Sequence, residues 1–358
     1  MKRNHGLDIL KVVCSFLVVC IHASFPTSLG TAIVSLSRVA VPLFFVVTGY
    51  YYAHTKERRS EKKQIKKIFC LIVTSNLLYV AWNLFLGWMD NDPIASVFSH
   101  MYHEKSLLNF AIFNISPVSE HLWYLNAILY VLLIVFLFEK KWNRQKLYPV
   151  IPFLILANLI LGTYSPFILG SPCLNKVTRN FLFVGLPYFL IGDMIYTRKI
   201  TIKTNTALLL LTVSALVTVF EGFLVASLVS DGPREHYFGT AFSAVGLFMF
   251  ALQCKVKTDK LGYRVLCYIG AKLSANIYIL HVILIDVLYN AIEFFSPFVH
   301  AIYGLYYIQP IVVYVLTLSV AWGYQCIVSA FKARFCGIKC KSAEILLISH
   351  STAVSQTR

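Results

Sequence analysis

The first side chains able to do chemistry lie in the apolar stretch LDILKVVCSFLVVCIH, which carries Asp8, Lys11 and His22. A histidine that titrates near neutrality is well suited to take a proton from a hydroxyl group. Lys11 and His22 are eleven residues apart, so an α-helix places them on nearly one face, about 16 Å apart along its axis. Asp8 precedes Lys11 by one turn and can pair with it. The stretch therefore predicts a helix with one polar stripe.

Other candidate groups stand at the edges of later apolar segments. Arg38 begins the sequence RVAVPLFFVVTGY, and its planar guanidinium can bind a carboxylate or a phosphate. Glu120 and His121 precede Trp123 in SEHLWYL, where a carboxylate can orient a histidine or accept a proton. His281 interrupts the apolar run SANIYILHVILI. A base, an anion-binding arginine and an orienting carboxylate together are typical of a proton-transfer site.

The same residues also have structural interpretations. Lys11 can extend to the lipid headgroups beside Asp8, and Arg38 can anchor a headgroup as well. Trp123 is typical of the aromatic belt at a membrane interface. A lone histidine inside an apolar run, such as His281, is more often a packing residue than a catalyst.

The elements that must position these groups are membrane helices. The 358 residues are 58% hydrophobic and 13% charged, with a mean hydropathy of +0.69, whereas about 25% of the residues in a soluble domain are charged. In lipid every backbone group must be paired internally, and the sequence lacks the alternation of barrel strands. The sequence predicts an all-α, polytopic helical bundle with about ten transmembrane helices. The predicted spans are 7–25, 38–54, 68–88, 122–138, 147–165, 180–197, 205–229, 237–254, 265–290 and 306–330.

The net charge is +16, and the positions of the basic residues along the chain are more informative than this sum. Basic clusters occur at 2–3, 56–67, 140–146, 198–203 and 255–264 and in the C-terminal tail, and two predicted spans separate each cluster from the next. By the positive-inside rule all clusters are cytoplasmic, and so are both termini. This placement favours a lipid bilayer over nucleic acid as the partner of the positive charge.

This topology brings the candidate groups together. His22, Arg38, Glu120, His121 and His281 all fall in the outer half of the bilayer, on four different helices. Independent structural roles do not predict such a convergence. Intramembrane Glu221 and Asp286 are further ionisable groups whose roles the sequence leaves open.

The domain organisation predicted from the sequence is simple. Residues 1–335 form one membrane domain, and 336–358 form a short cytoplasmic tail. The nine cysteines have no repeated spacing, so we predict no disulfide framework and no metal site. The first apolar segment contains charges and no small-residue cleavage site follows it, so we interpret it as a span rather than a signal peptide.

In combination, five motifs resemble the acyltransferase 3 family of integral membrane acyltransferases. They are GLDILKVVCSFLVVCIHA, RVAVPLFFVVTGY, HLWYL at 121–125, LPYFLIGDMIY at 186–196 and SANIYILHVILI at 274–285, and they follow the family's order along nearly the whole chain. The family's opening places a histidine eleven residues after a basic residue, usually arginine, where this sequence has Lys11. A lysine cannot make the bidentate contacts of a guanidinium.

The resemblance implies a set of site roles. His22 would be the base that activates the acceptor hydroxyl, with Glu120 and His281 in support. Asp8, Lys11, Arg38, His121 and Trp123 would bind donor or acceptor. Acetyl-CoA or another acyl-CoA would be the donor substrate, with no bound cofactor, and the acceptor would be a cell-envelope glycan or an exported sugar. The protein would lie in the bacterial cytoplasmic (inner) membrane, and we expect direct transfer from a donor arm that reaches into the bundle.

Two alternatives stay open at this point. A transporter or flippase of a small solute or lipid-linked sugar would use His22, Arg38, Glu221 and Asp286 as binding or proton-relay groups. A non-catalytic membrane domain is the other, because serine racemases of vancomycin-resistant bacteria carry a similar membrane half. The sequence has no soluble racemase half, which argues against this second alternative.

Overall fold

The computed structural model describes residues 3–57, 60–229, 234–256, 259–295 and 300–336. Across these ranges the regular elements are all helical, which confirms the predicted all-α class. The predicted tail beyond residue 336 lies outside the described residues.

The described residues of the N-terminal half form ten helices. Two 3₁₀ turns, Glu120–Leu122 and Arg144–Leu147, flank α7. The helices are α1 (His5–His22), α2 (Thr27–Ser37), α3 (Ala40–Glu57), α4 (Glu61–Met89), α5 (Ile94–Met101), α6 (Ser106–Phe113), α7 (Trp123–Phe138), α8 (Val150–Leu161), α9 (Ser165–Ile168) and α10 (Asn175–Thr178).

In the C-terminal half, the residues that the structure describes form six further helices, and two of these continue from π-helical turns. Phe181–Gly185 precedes α11 and Ile269–Leu273 precedes α15, while a 3₁₀ segment covers His300–Tyr307. The helices are α11 (Leu186–Thr197), α12 (Thr204–Leu228), α13 (Phe238–Gln253), α14 (Leu261–Tyr268), α15 (Ser274–Phe295) and α16 (Gln309–Cys336).

Seven helical stretches in the described chain are long and apolar enough to cross a membrane, and Phe181–Thr197 and Phe238–Gln253 are shorter apolar helices. The fifth predicted span, 147–165, contains α8, which has only 12 residues. Each predicted span is therefore helical, whereas the count of ten and the cytoplasmic position of the termini remain predictions.

The second of the seven long stretches, Thr27–His54, is broken at Arg38. The sequence predicted only the start of a span at this residue. The stretch comprises α2 and α3, joined by a turn in which the Arg38 and Val39 N–H groups donate to the carbonyls of Ser35 and Leu36. Pro42 lies in the first turn of α3, where its missing N–H costs no helical hydrogen bond. The break holds Arg38 at a helix junction.

Helices α3 and α11 pack against each other at backbone distance. A Cβ added to Gly49 of α3 would overlap the carbonyl oxygen of Phe189, and one added to Gly192 of α11 would overlap that of Val46. Small residues allow membrane helices to approach at backbone distance. The glycine of the TGY motif therefore fixes the position of α3, and with it the helix junction at Arg38.

The start of α1 is fixed by an ion-pair cluster around one buried carboxylate. Asp8 is 2% exposed; its Oδ2 atom accepts from Arg3 Nε at 2.6 Å, and its Oδ1 atom lies 3.6 Å from Lys11 Nζ. Arg3 also donates from Nη2 to the Cys267 carbonyl at 2.9 Å, which ties α1 to α14. Lys11 Nζ lies 5.4 Å from the centre of the Tyr51 ring of α3. We call this end of the bundle the Lys11 end.

A second buried network connects the turn after α7 to α11. Arg144 Nε donates to both carboxylate oxygens of Asp193, at 2.8 and 2.9 Å, and Nη1 donates to Glu139 Oε1 at 2.7 Å. The Tyr148 hydroxyl donates to Asp193 Oδ2 at 2.6 Å. Burial alone would lower the pKa of Arg144, but the two carboxylates more than compensate and raise it. Neither Arg144 nor this pairing was singled out from the sequence.

The long segment between α4 and α7 folds against α7. Asn114 is fully buried with a left-handed backbone (φ 54°). Its side chain donates to the Trp123 carbonyl at 3.1 Å and accepts from the Phe181 N–H at 2.8 Å. The Tyr130 hydroxyl donates to the Phe110 carbonyl at 3.0 Å. These bonds fix the segment beside the start of α7, where His121 lies.

Candidate functional site

Three histidines from distant parts of the chain meet at the end of the bundle opposite the Lys11 end. His22 is the last residue of α1, His121 lies in the 3₁₀ turn before α7, and His281 lies in the middle of α15. The ring centres are 5.0 Å apart for His22 and His281, 5.1 Å for His121 and His281, and 6.3 Å for His22 and His121. The structure thus brings together the three histidines that the sequence analysis singled out. We call this group the histidine cluster.

The hydrogen bonds of His281 indicate which of its nitrogens is free. Nδ1 lies 2.7 Å from the Tyr278 carbonyl oxygen, which can only accept, so Nδ1 carries the proton. The Nε2 atom of this fully buried residue has no hydrogen-bond partner in the described chain. A neutral His281 therefore presents an unshared lone pair within the cluster.

His121 is held by its neighbours in a similar way. Its Nδ1 atom lies 2.7 Å from the Ser119 hydroxyl, and the Tyr278 hydroxyl donates to its backbone carbonyl. The Tyr79 ring packs edge-on at 4.9 Å, and the Tyr79 hydroxyl donates to the Ile279 carbonyl at 2.7 Å. His121 Nε2 is buried without a partner among the described residues. Two tyrosines thus fix the histidines of different helices relative to each other.

His22 differs from the other two histidines because it is exposed. It lines a cavity of 40 Å³, which has room for roughly three water molecules. Arg38 and Trp123 also line this cavity, together with Arg179, Glu235 and His236. A substrate hydroxyl can therefore approach His22 without displacing a buried histidine.

The charges at this cavity are internally paired. Arg38 Nη1 donates to Glu235 Oε2 at 3.0 Å, and Arg179 Nη1 lies 3.7 Å from Glu235 Oε1. Arg179 Nη2 donates to Glu120 Oε2 at 3.1 Å, so Glu120, whose side chain is 78% exposed, points towards Arg179. Burial alone would raise the pKa of Glu235, but Arg38 and Arg179 lower it, so this carboxylate is ionised at neutral pH.

His236 lies beside this charge network. It is 7% exposed, it stacks on Tyr188 with ring centres 5.7 Å apart, and both ring nitrogens are buried without a hydrogen-bond partner in the described chain. Burial lowers its pKa to about 4 despite the neighbouring Glu235. Neither Glu235 and His236 nor Arg179 were singled out from the sequence. No motif marks these three residues.

Three further predicted site residues are not part of the histidine cluster: two lie at the Lys11 end, and Trp123 is largely buried where it lines the cavity beside His22. Asp8 and Lys11 belong to the Lys11 end and do not join the histidine cluster. Trp123 is 7% exposed, and its ring lies 6.4 Å from the Phe45 ring and 6.0 Å from the Arg179 guanidinium.

Two intramembrane carboxylates whose roles were open have structural partners. Asp286 Oδ2 accepts from Trp82 Nε1 at 3.0 Å. Glu221 accepts from the Tyr164 hydroxyl and from the Phe238 and Gly239 N–H groups at the start of α13. Both residues connect helices of the bundle.

Two larger cavities open at the Lys11 end. One of 540 Å³ is lined by Tyr50, Arg144 and Lys199 and lies between α3 and α11. The other, of 520 Å³, lies between α1 and α13 and is lined by Lys255 and Lys260. Both volumes are in the range of small-molecule sites, about 300–1,000 Å³. Within the described part of the chain, no three metal-ligating side chains are arranged to hold a metal ion.

The fold and the site together define a multi-pass helical membrane protein with a histidine cluster at one end. The chain belongs to the acyltransferase 3 family, because the family described as "Acyltransferase domain" matches residues 4–325. This match confirms the resemblance found in the sequence.

One curated relative is named an amino-acid racemase and comes from Enterococcus faecalis. It is 24% identical over 315 residues, which cover 80% of this chain but only 42% of the relative. The chain thus spans less than half the length of that protein. No solved structure matches.

Proposed function

We propose that the protein is a membrane O-acyltransferase that moves an acetyl group from acetyl-CoA to a hydroxyl of a cell-envelope glycan or an exported sugar. The observation that carries the proposal is the histidine cluster, in which accessible His22 adjoins two buried imidazoles with unpaired Nε2 atoms. Family membership supports the transferase chemistry, and the cluster supplies the base that an acyl transfer to a hydroxyl requires.

In the proposed reaction, neutral His22 takes the proton of the acceptor hydroxyl while its oxygen attacks the thioester carbonyl carbon. The tetrahedral intermediate collapses with cleavage of the carbon–sulfur bond, and the leaving thiolate receives the proton from His22. His281 stabilises the imidazolium state of His22 through the lone pair on its Nε2 atom, either directly or through a water molecule. This arrangement requires no covalent enzyme intermediate.

The donor approaches from the opposite end in this proposal. The two cavities at the Lys11 end carry lysines or an arginine and have the volume of nucleotide-sized sites. Asp8 and Lys11 lie at that end of α1, eleven or more residues from His22, and in this proposal they belong to the donor side. With both termini in the cytoplasm of a bacterial cell, acetyl-CoA meets the Lys11 end and the acceptor meets the histidine end.

The decisive experiment uses purified protein reconstituted in liposomes with radiolabelled acetyl-CoA and envelope glycans. We expect acetyl transfer by the wild type and a large loss in His22→Ala, whereas transfer that survives this substitution would overturn the role of His22. Uptake of solute or lipid-linked sugar without acetyl-CoA would instead identify a transporter or flippase.

A further inference from the structure

The cavity beside His22 contains polar groups that the proposed acyl transfer does not use. Arg38 Nε and both nitrogens of His236 are buried and have no hydrogen-bond partner in the described chain. Buried polar groups are nearly always hydrogen-bonded, so unpaired ones that line a cavity point to a ligand. All three atoms belong to residues that line the same cavity as His22.

The kind of ligand follows from the charge balance. Arg38 and Arg179 share the buried carboxylate of Glu235, and Arg179 also pairs with Glu120. Two cations and two carboxylates leave no free positive charge for an anionic ligand. Arg38 Nη1 is bonded to Glu235, and its Nε–H group is a buried donor without a partner in the described chain.

From these contacts we infer that Arg38 and His236 form a second acceptor subsite, which binds hydroxyl or ring oxygens of an uncharged sugar while a neighbouring hydroxyl reacts at His22. This inference rests on the proposed function and specifies its acceptor. A hydroxyl both donates and accepts, so it satisfies an Nε–H donor and an imidazole nitrogen together. A sugar carboxylate or phosphate would add an uncompensated negative charge beside the largely buried carboxylate of Glu235, which is unfavourable because like charges repel.

The test is protection of His22 from carbethoxylation by diethylpyrocarbonate, measured by peptide mass spectrometry on the full chain in nanodiscs. The probes are methyl glucoside and methyl glucuronide, which differ only at C6, where a carboxylate replaces the hydroxymethyl group. At equal concentrations we expect methyl glucoside to slow His22 modification at least fivefold more than methyl glucuronide does. Equal protection, stronger protection by the glucuronide, or no protection by either probe would overturn the inference.

A charge variant sharpens this test. Glu235→Gln keeps an acceptor for Arg38 but removes the shared negative charge. We define the protection ratio as the slowing of His22 modification by methyl glucoside divided by the slowing by methyl glucuronide. This ratio should fall at least tenfold in Glu235→Gln. Glu104→Gln changes the net charge equally at an exposed residue between α5 and α6 and should leave the ratio as in the wild type. A similar ratio in Glu235→Gln and in the wild type would contradict the subsite, and the wild-type comparison decides alone if the variant does not fold.

Failure of this inference can be distinguished from failure of the proposed acyltransferase function. Absence of acetyl transfer in liposomes would remove the acyltransferase assignment but would leave the neutral-sugar preference measurable by protection. Transfer with a preference for charged acceptors would keep the enzyme and remove the subsite.

Discussion

The imidazole rings of His22 and His281 lie 5.0 Å apart, although they belong to the first and the next-to-last long helices of the chain. One of them is accessible and the other is fully buried, with Nδ1 bonded to the Tyr278 carbonyl. An accessible imidazole beside an oriented one is the arrangement expected of a base and a group that stabilises its charged state.

This pairing predicts that the two histidines act as one unit. His22→Ala should lower kcat by about 100- to 10,000-fold, because proton transfer by a positioned side chain contributes that much. The double variant His22→Ala/His281→Ala should lose little more than the His22 variant alone, since residues that act as a unit are strongly non-additive.

Single-turnover acetyl transfer in liposomes measures these losses. His100→Ala, at an exposed position of α5, serves as the histidine control and should keep the wild-type rate. Multiplicative losses in the double variant would show that His22 and His281 act independently.

The histidine cluster was largely predictable from the sequence, and the acceptor-side charge network was not. His22, His121 and His281 stand out because ionisable side chains are rare in apolar segments, and the alternation of basic loops placed them at one end. Glu235 and His236 lie in a connection between two helices, where polar residues are ordinary. Only the packing of α2, α3 and α13 brings them to Arg38.

The break at Arg38 was unpredictable for a related reason. The segment Thr27–Ser37 contains Ser, Thr and Gly and was interpreted as a connection, but it forms α2 because it packs against α1 and α12. Tertiary contacts override weak local preferences in such segments.

The close contact of α3 and α11 predicts that Gly49→Ala destabilises the protein. A methyl group at this position meets the Phe189 carbonyl, so the helices must separate, at a cost of about 2 kcal/mol. The thermal midpoint of the purified protein in detergent should fall accordingly. Gly262→Ala, at a helix position with nothing within 4 Å, is the matched control and should leave the midpoint unchanged or slightly raised. Equal midpoints for the two variants would show that the bundle absorbs the methyl group.

The Arg144 network predicts a larger loss for Asp193→Ala. Removal of one partner from a buried ion pair costs about 3–5 kcal/mol, and we expect the lower end because Glu139 still accepts from Arg144. Thermal unfolding of the variant should show this loss, and Asp193→Asn, which keeps an acceptor for Tyr148, should lose less. Asp259→Ala, at an exposed aspartate, controls for the loss of a carboxylate. An Asp193→Ala midpoint equal to that of Asp259→Ala would contradict a stabilising network.

The low pKa of His236 predicts a specific dependence of stability on pH. Burial lowers this pKa from 6.5 in the unfolded chain to about 4 in the fold. Between these values the unfolded chain binds the proton more tightly, so the free energy of unfolding decreases as the pH falls from 6.5 towards 4. At pH 5 the decrease is about 2 kcal/mol, at 1.36 kcal/mol per unit.

Comparison of the wild type with His236→Gln isolates this contribution, because the other titratable groups are common to both proteins. Glu235 does not interfere, since its pKa lies below the ordinary value of 4.5 and its own effect on stability appears only in more acidic solution. We therefore expect the thermal midpoint of the wild type to fall more between pH 7 and pH 5 than that of His236→Gln. The same fall in both proteins would mean that the pKa of His236 is unchanged by folding and that burial does not disfavour its charged form.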